Sequence, residues 1–170
     1  MAVRQLLRGA AAGLAATVPM TIAMEFMYRY LPWWQRYSLP PGQITARLTR
    51  AIGLRRKTER REHNLLTFLG HFGYGATVGA IYAPIARRLK LPSLLGGVVY
   101  GLAVWFVSYV GWLPAFHILP SATKQPNKRN ALMITAHIVY GASLSWLLDQ
   151  MRETSREEAE QPAAMRYAGR

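Results

Sequence analysis

Residues 65–86 read LLTFLGHFGYGATVGAIYAPIA, and residues 131–148 read ALMITAHIVYGASLSWLL. Both carry the pattern His-x-x-Tyr-Gly-Ala, first at His71, Tyr74, Gly75 and Ala76, then 66 residues on at His137, Tyr140, Gly141 and Ala142. Neither stretch holds an Asp, Glu, Lys or Arg. A soluble amphipathic helix would show a polar residue at every third or fourth position, and these do not. A helix rising 1.5 Å per residue needs ~20 apolar residues to cross the hydrocarbon core of a bilayer, close to the length of each run. Both are therefore expected to be membrane helices.

Two further apolar runs, residues 9–31 and 93–119, have the same character. The expected fold is an all-α integral membrane four-helix bundle with spans at about 9–31, 65–86, 93–119 and 131–148. It forms one domain over residues 1–150, followed by a charged, mobile tail over 151–170. The first run follows Arg4 and Arg8 as a signal peptide would, but it continues to Leu31, too far for a signal core, and reads as an uncleaved first helix. With no cysteine in the chain, disulfides, thiolate metal sites and Cys nucleophiles are excluded. The net charge of +13 sits in connections and tails, which suits anionic lipid head groups as partners rather than nucleic acid.

Small residues recur along the spans at four-residue spacing, where they share a helix face. Gly9 and Gly13 lead into Thr17, Thr21 and Glu25 on the first helix. Gly75 and Gly79 follow His71 on the second, Gly97 and Gly101 lie on the third, and Gly141 and Ser145 follow His137 on the fourth. Gly9, Gly13 and Leu31-Pro32 reappear 88 residues later as Gly97, Gly101 and Leu119-Pro120. The two offsets, 88 and 66, differ by 22 residues, about the length of the connection between the first two spans. A duplicated helical hairpin whose first copy gained an insertion accounts for both, and two-span copies run parallel, with their axis along the membrane normal.

That first connection, about 41–62, is expected to lie on the membrane. Ile44, Leu48 and Ile52 recur at four-residue spacing between Arg47 and Arg50, as in a short amphipathic surface helix. Arg55, Arg56, Lys57, Arg60 and Arg61 extend it into a lipid-facing basic segment. A solvated charged loop is the plainer alternative. Tyr28, Tyr30, Trp33, Trp34 and Tyr37 just before it form an interfacial aromatic belt.

Ionisable side chains inside hydrocarbon are costly and mark a site by default. Glu25, His71 and His137 each lie six residues from the end of their run, roughly 9 Å inside the same membrane face. His117 falls on that face nearer the surface. Four readings of this intramembrane cluster compete. It is a hydrogen-bonded network that locks the bundle, a proton or ion pathway, a metal or b-type haem site on His71 and His137, or a partner-binding or enzymatic site. No Gly-x-Ser-x-Gly, P-loop, His-Glu-x-x-His or paired-carboxylate spacing is present, so no enzyme and no cofactor are expected.

The stretch SYVGWLPAFHILPSATKQPNKRNALMITAHIVYGA (108–142) and the first helix, GLAATVPMTIAMEFMY with its Ala16-Thr17-x-x-Met20, resemble the YagU-like family of small bacterial inner-membrane proteins of unknown function. The resemblance would cover most of residues 9–148 and leaves the basic segment 47–61 unplaced. It implies a multi-span protein of the bacterial inner membrane without an assigned activity. The expected role is structural, accessory or stress-related, with a membrane-protein partner or a second copy of the chain as companion; proton or ion handling and haem or metal binding are the alternatives. Basic residues flank the spans on both sides, so orientation is left open.

Overall fold

The computed structural model describes residues 2–53 and 59–168, with side chains over 3–53 and 59–154. Arg55, Arg56 and Lys57 of the expected basic segment lie outside the described residues, as do the side chains of the tail from Ser155.

Helix α1 spans Ala2–Tyr28. It stops short of Leu31 because the amides of Arg29, Tyr30 and Leu31 turn back to Phe26, Met27 and Tyr28 in a tighter turn. After a 3-10 turn at Trp33–Gln35, α2 (Pro40–Ala51) begins with two prolines in its first turn, where no amide is required. Helix α3 (Arg60–Ala86) opens on a capping box, with the Glu62 carboxylate accepting the Glu59 amide at 3.1 Å. Helix α4 (Ser93–Phe106) runs into a wide π turn at Val107–Trp112 that is kinked at Gly111 (φ −95°, ψ −105°), and a short α5, Leu113–Ala115, follows. Pro114, which has no amide to continue the ladder, stands immediately after the widened turn. A 3-10 turn at Ala122–Lys124 precedes α6, Asn127–Ala168.

All regular structure among the described residues is helical. Among the described residues three helices are long and apolar enough to cross a membrane: Val3–Tyr28, Ser93–Ala115 and Asn127–Thr154. Helix α3 has 27 residues and falls outside that set, because His71, its tyrosines and its glycines dilute the apolar side chains.

Around the bundle the long helices stand in the order α3, α1, α6, α4. Glycine sets the two closest crossings. A Cβ at Gly9 would strike the Gly79 carbonyl, and one at Gly13 the Gly75 carbonyl, so α1 and α3 touch backbone to backbone. In the same way a Cβ at Gly97 would meet the Gly141 carbonyl and the Ser145 side chain, and one at Gly101 the His137 carbonyl. Between α1 and α6 lies the core, with Ala12, Ala16, Met20 and Met24 on one side and Leu132, Met133, Ala136, Tyr140 and Leu144 on the other. By contrast, α3 and α4 touch only sparsely.

Helix α2 departs from the expected surface helix in one respect. Its face of Pro41, Ile44, Thr45 and Leu48 is turned inward over a cavity, Thr49 is buried, and the helix packs on α3. The periodic face was correctly apolar, but protein covers much of it. Ile52 remains exposed, and the helix ends at Ala51, so Arg60 and Arg61 belong to α3 instead.

Candidate functional site

The gap between α3 and α4 is a cavity of about 370 Å³, with α2 across one end. Thr17 and Met20 of α1, His71, Tyr74 and Val78 of α3, Met133, His137 and Tyr140 of α6, and Val104, Ser108, Tyr109 and Trp112 of α4 and its π turn form its walls. The lining is mainly apolar and contains no Asp, Glu, Lys or Arg. Leu48, Leu66, Gly70 and Tyr74 line it and are also exposed, which places its mouth on the outer surface of the bundle, beside α3.

Three tyrosines hold α3 across this gap. Tyr140 Oη donates to the Gly75 carbonyl at 2.7 Å, and Tyr100 Oη to the Val78 carbonyl at 2.6 Å. Tyr74 Oη and Ser108 Oγ share a hydrogen bond of 2.9 Å. The π turn fits this arrangement, since it carries Ser108 and Tyr109 inward, both buried, at the point where α4 would otherwise continue beside α3.

His71 and His137 line this one cavity. His137 is 5% exposed; its Nδ1 lies 2.7 Å from the Met133 carbonyl, and its ring stands edge-on to Tyr109. A carbonyl only accepts, so in the neutral ring Nδ1 carries the proton and Nε2 presents a lone pair. His71 Nε2 lies 3.2 Å from Thr21 Oγ1, whose own proton goes to the Thr17 carbonyl at 2.7 Å. Thr21 therefore accepts from His71 Nε2, which leaves His71 Nδ1 as the lone-pair nitrogen of the neutral ring. Both rings are held by one donated bond each, and each keeps one acceptor.

Glu25 lies outside this cavity but shares a second groove with His71. It is exposed and lines that groove, of about 460 Å³, with Thr21, His63, Asn64 and Thr67. His71 and Pro41 border both spaces. His117 is apart from either and has a different task. With φ of 56° it ends α5: its amide bonds to the Pro114 carbonyl at 3.0 Å, and the Ile118 amide reaches the Leu113 carbonyl at 2.9 Å. That is the Schellman pattern, with histidine at the position glycine usually fills. Among the described residues no group of three or more His, Asp or Glu stands close enough to hold a metal ion.

Arg129 is the residue that sequence reasoning passed over as one more loop cation. It is 3% exposed, donates to the carbonyls of Gln35, Tyr37 and Ser38 at 2.7, 3.0 and 3.0 Å, and lies 3.7 Å over the Tyr37 ring. It thereby ties the start of α6 to the chain that leads into α2. The available signal was an arginine in the first turn of a helix, where the helix dipole disfavours a cation and a specific contact must compensate.

A family model described as "Protein of unknown function (DUF1440)" matches residues 38–146. The matched stretch begins just before α2 and includes the described part of the segment 47–61, which the resemblance drawn from sequence left unplaced, while α1 lies outside it. No curated protein and no solved structure matches the chain.

Proposed function

We propose that this chain, which belongs to the DUF1440 family of proteins of unknown function, is a four-span protein of a bacterial inner membrane that binds a small, mainly apolar molecule within the bilayer. The role is accessory rather than catalytic. One observation carries the reading: a mainly apolar cavity of about 370 Å³, walled by every long helix, opens at the surface of the bundle. Its size falls in the range of small-molecule sites, and its few polar groups converge among apolar walls.

The two helix pairs are read as copies of one hairpin. Gly9 and Gly13 meet the carbonyls of Gly79 and Gly75, and Gly97 and Gly101, 88 residues on, meet those of Gly141 and His137, so the second crossing repeats the first with a shift of one helical turn. A two-fold relating α1 to α4 and α3 to α6 makes the α1–α6 interface the equivalent of α3–α4. The first is a packed core and the second holds the cavity. On that reading the binding site is the place where the two copies diverge, and the turn at Val107–Trp112 forms part of its wall.

Gly70 supplies the test, because it lines the cavity and a Cβ there meets nothing within 4 Å. Native mass spectrometry of the protein released from nanodiscs is expected to show a bound small molecule, absent in Gly70→Phe. An empty wild-type protein, or an adduct indifferent to the substitution, would sink the reading.

A second reading, proton handling, is favoured by His71 alone, which stands between the polar groove of Glu25 and His63 and the cavity of His137. Liposomes carrying the protein would then pass protons, and His71→Ala with His137→Ala would abolish the flux. No flux above empty liposomes would end it.

A further inference from the structure

We infer that the molecule bound in the cavity is neutral and carries an O–H donor at one end of an apolar body, an alcohol or a phenol, and that Nε2 of His137 accepts its hydrogen bond. This rests on the binding role proposed above and goes further by naming the chemistry that is recognised.

First, no charged side chain lines the cavity, so an ionic head would lie unpaired in an apolar enclosure. Second, the Met133 carbonyl at 2.7 Å fixes the proton of the neutral His137 ring on Nδ1, and no hydrogen bond among the described residues ends on Nε2. Nε2 is not fully enclosed, and its lone pair, set in an apolar lining, gains a partner from an incoming O–H. Third, three hydroxyls of the wall turn to backbone carbonyls: Tyr140 donates to Gly75, Thr17 to Gly13 and Thr45 to Pro41. Those protons are not offered to Nε2, whereas an O–H on the ligand is. An ether or an alkane of the same shape would fill the space and leave Nε2 unpaired.

The chemistry has two sources, a chain alcohol dissolved in the membrane or a small aromatic alcohol arriving from water. Both are covered by one experiment on the full chain in nanodiscs, read by the fluorescence of Trp112 in the cavity wall and by the imidazole nitrogens of 15N-histidine. The probes are 1-octanol, its isomer 1-methoxyheptane, and phenol, with concentrations taken in the bilayer. Octanol is expected to bind about tenfold more tightly than the ether, the weight of one donor to the Nε2 acceptor. It should also move the unprotonated nitrogen of His137, which the ether leaves in place. His137→Phe should bind octanol and ether alike. Preference for octanol over phenol assigns a membrane amphiphile, and the reverse a small aromatic alcohol.

Equal binding of octanol and ether by the wild-type protein overturns the inference and leaves the binding role standing. Binding of none of the three overturns both. Should His137→Phe fail to fold, the wild-type nitrogen decides: a resonance that octanol does not move refutes the assignment.

Discussion

At the scale of single residues, Arg129 lies in the first turn of α6 and His117 just past the end of α5. Arg129 is buried, and no carboxylate stands within ion-pair reach of it among the described residues. Three backbone carbonyls and the face of Tyr37 take the place of a counter-ion. Arg129→Met would keep the bulk and leave those carbonyls without donors, so a loss of about 2 kcal/mol is expected on unfolding in mixed micelles. Arg129→Lys, with a single point of charge in place of a planar fork, should recover only part of it. His117 gives the opposite sign. Its left-handed backbone costs a non-glycine residue about 1 kcal/mol, and its side chain is exposed. His117→Gly should therefore raise the unfolding midpoint while His117→Val lowers it; a midpoint lowered by glycine would mean that the imidazole, not the turn, is what matters there.

At the scale of the helix, glycines divide into those another backbone leans on and those that face open space. A Cβ at Gly141 would run into the Gly97 carbonyl, and neither backbone has a flexible end to give way. At Gly73, also inside a helix, it meets nothing within 4 Å. Gly141→Ala is expected to destabilise by roughly 1–3 kcal/mol through overpacking. Gly73→Ala should gain about 0.5–1 kcal/mol from helix propensity. Opposite shifts in apparent melting in detergent would check the pair, and equal shifts would refute the backbone-contact account. The same distinction explains what the sequence made legible. Apolar runs gave the long helices, and four-residue spacing gave the glycine crossings, because both depend on local period. Depth along a helix gave His71 and His137 a common level, but level says nothing of direction around the axis, and Glu25 at the same level looks outward. For α2, amphipathicity identified the apolar face correctly and was silent on whether lipid or protein covers it. Arg129 depends on carbonyls more than ninety residues away in the chain, which no periodicity carries.

For the whole molecule, the number of helices that cross the bilayer turns on α3, which falls outside the three candidate spans. Packing argues that α3 crosses. Gln5 Nε2 donates to the Ala83 carbonyl at 2.7 Å, Gly9 and Gly13 abut Gly79 and Gly75, and Thr21 reaches His71. From Gln5 to Thr21 is 16 residues, about 24 Å of helix, along which α1 and α3 stay in antiparallel contact. A hydrocarbon core is ~30 Å thick, so if α1 spans it α3 lies beside it through most of that depth. Its charged start at Arg60, Arg61 and Glu62 falls before this contact, and Arg87 and Arg88 after it, as the two ends of a span would. The alternatives predict different topologies. With four spans both ends of the chain face one side, whereas with α3 left on the surface they face opposite sides. The chain has no cysteine, so single cysteines can be placed without background. Introduced in place of Gln35, Arg88, Lys124 and Gln150 and labelled in sealed vesicles with a membrane-impermeant maleimide, they should sort into two sets. Positions 88 and 150 should react from one side, and 35 and 124 from the other. Position 88 reacting from the same side as 35 would show that α3 does not cross, and would turn the mouth of the cavity from lipid toward water.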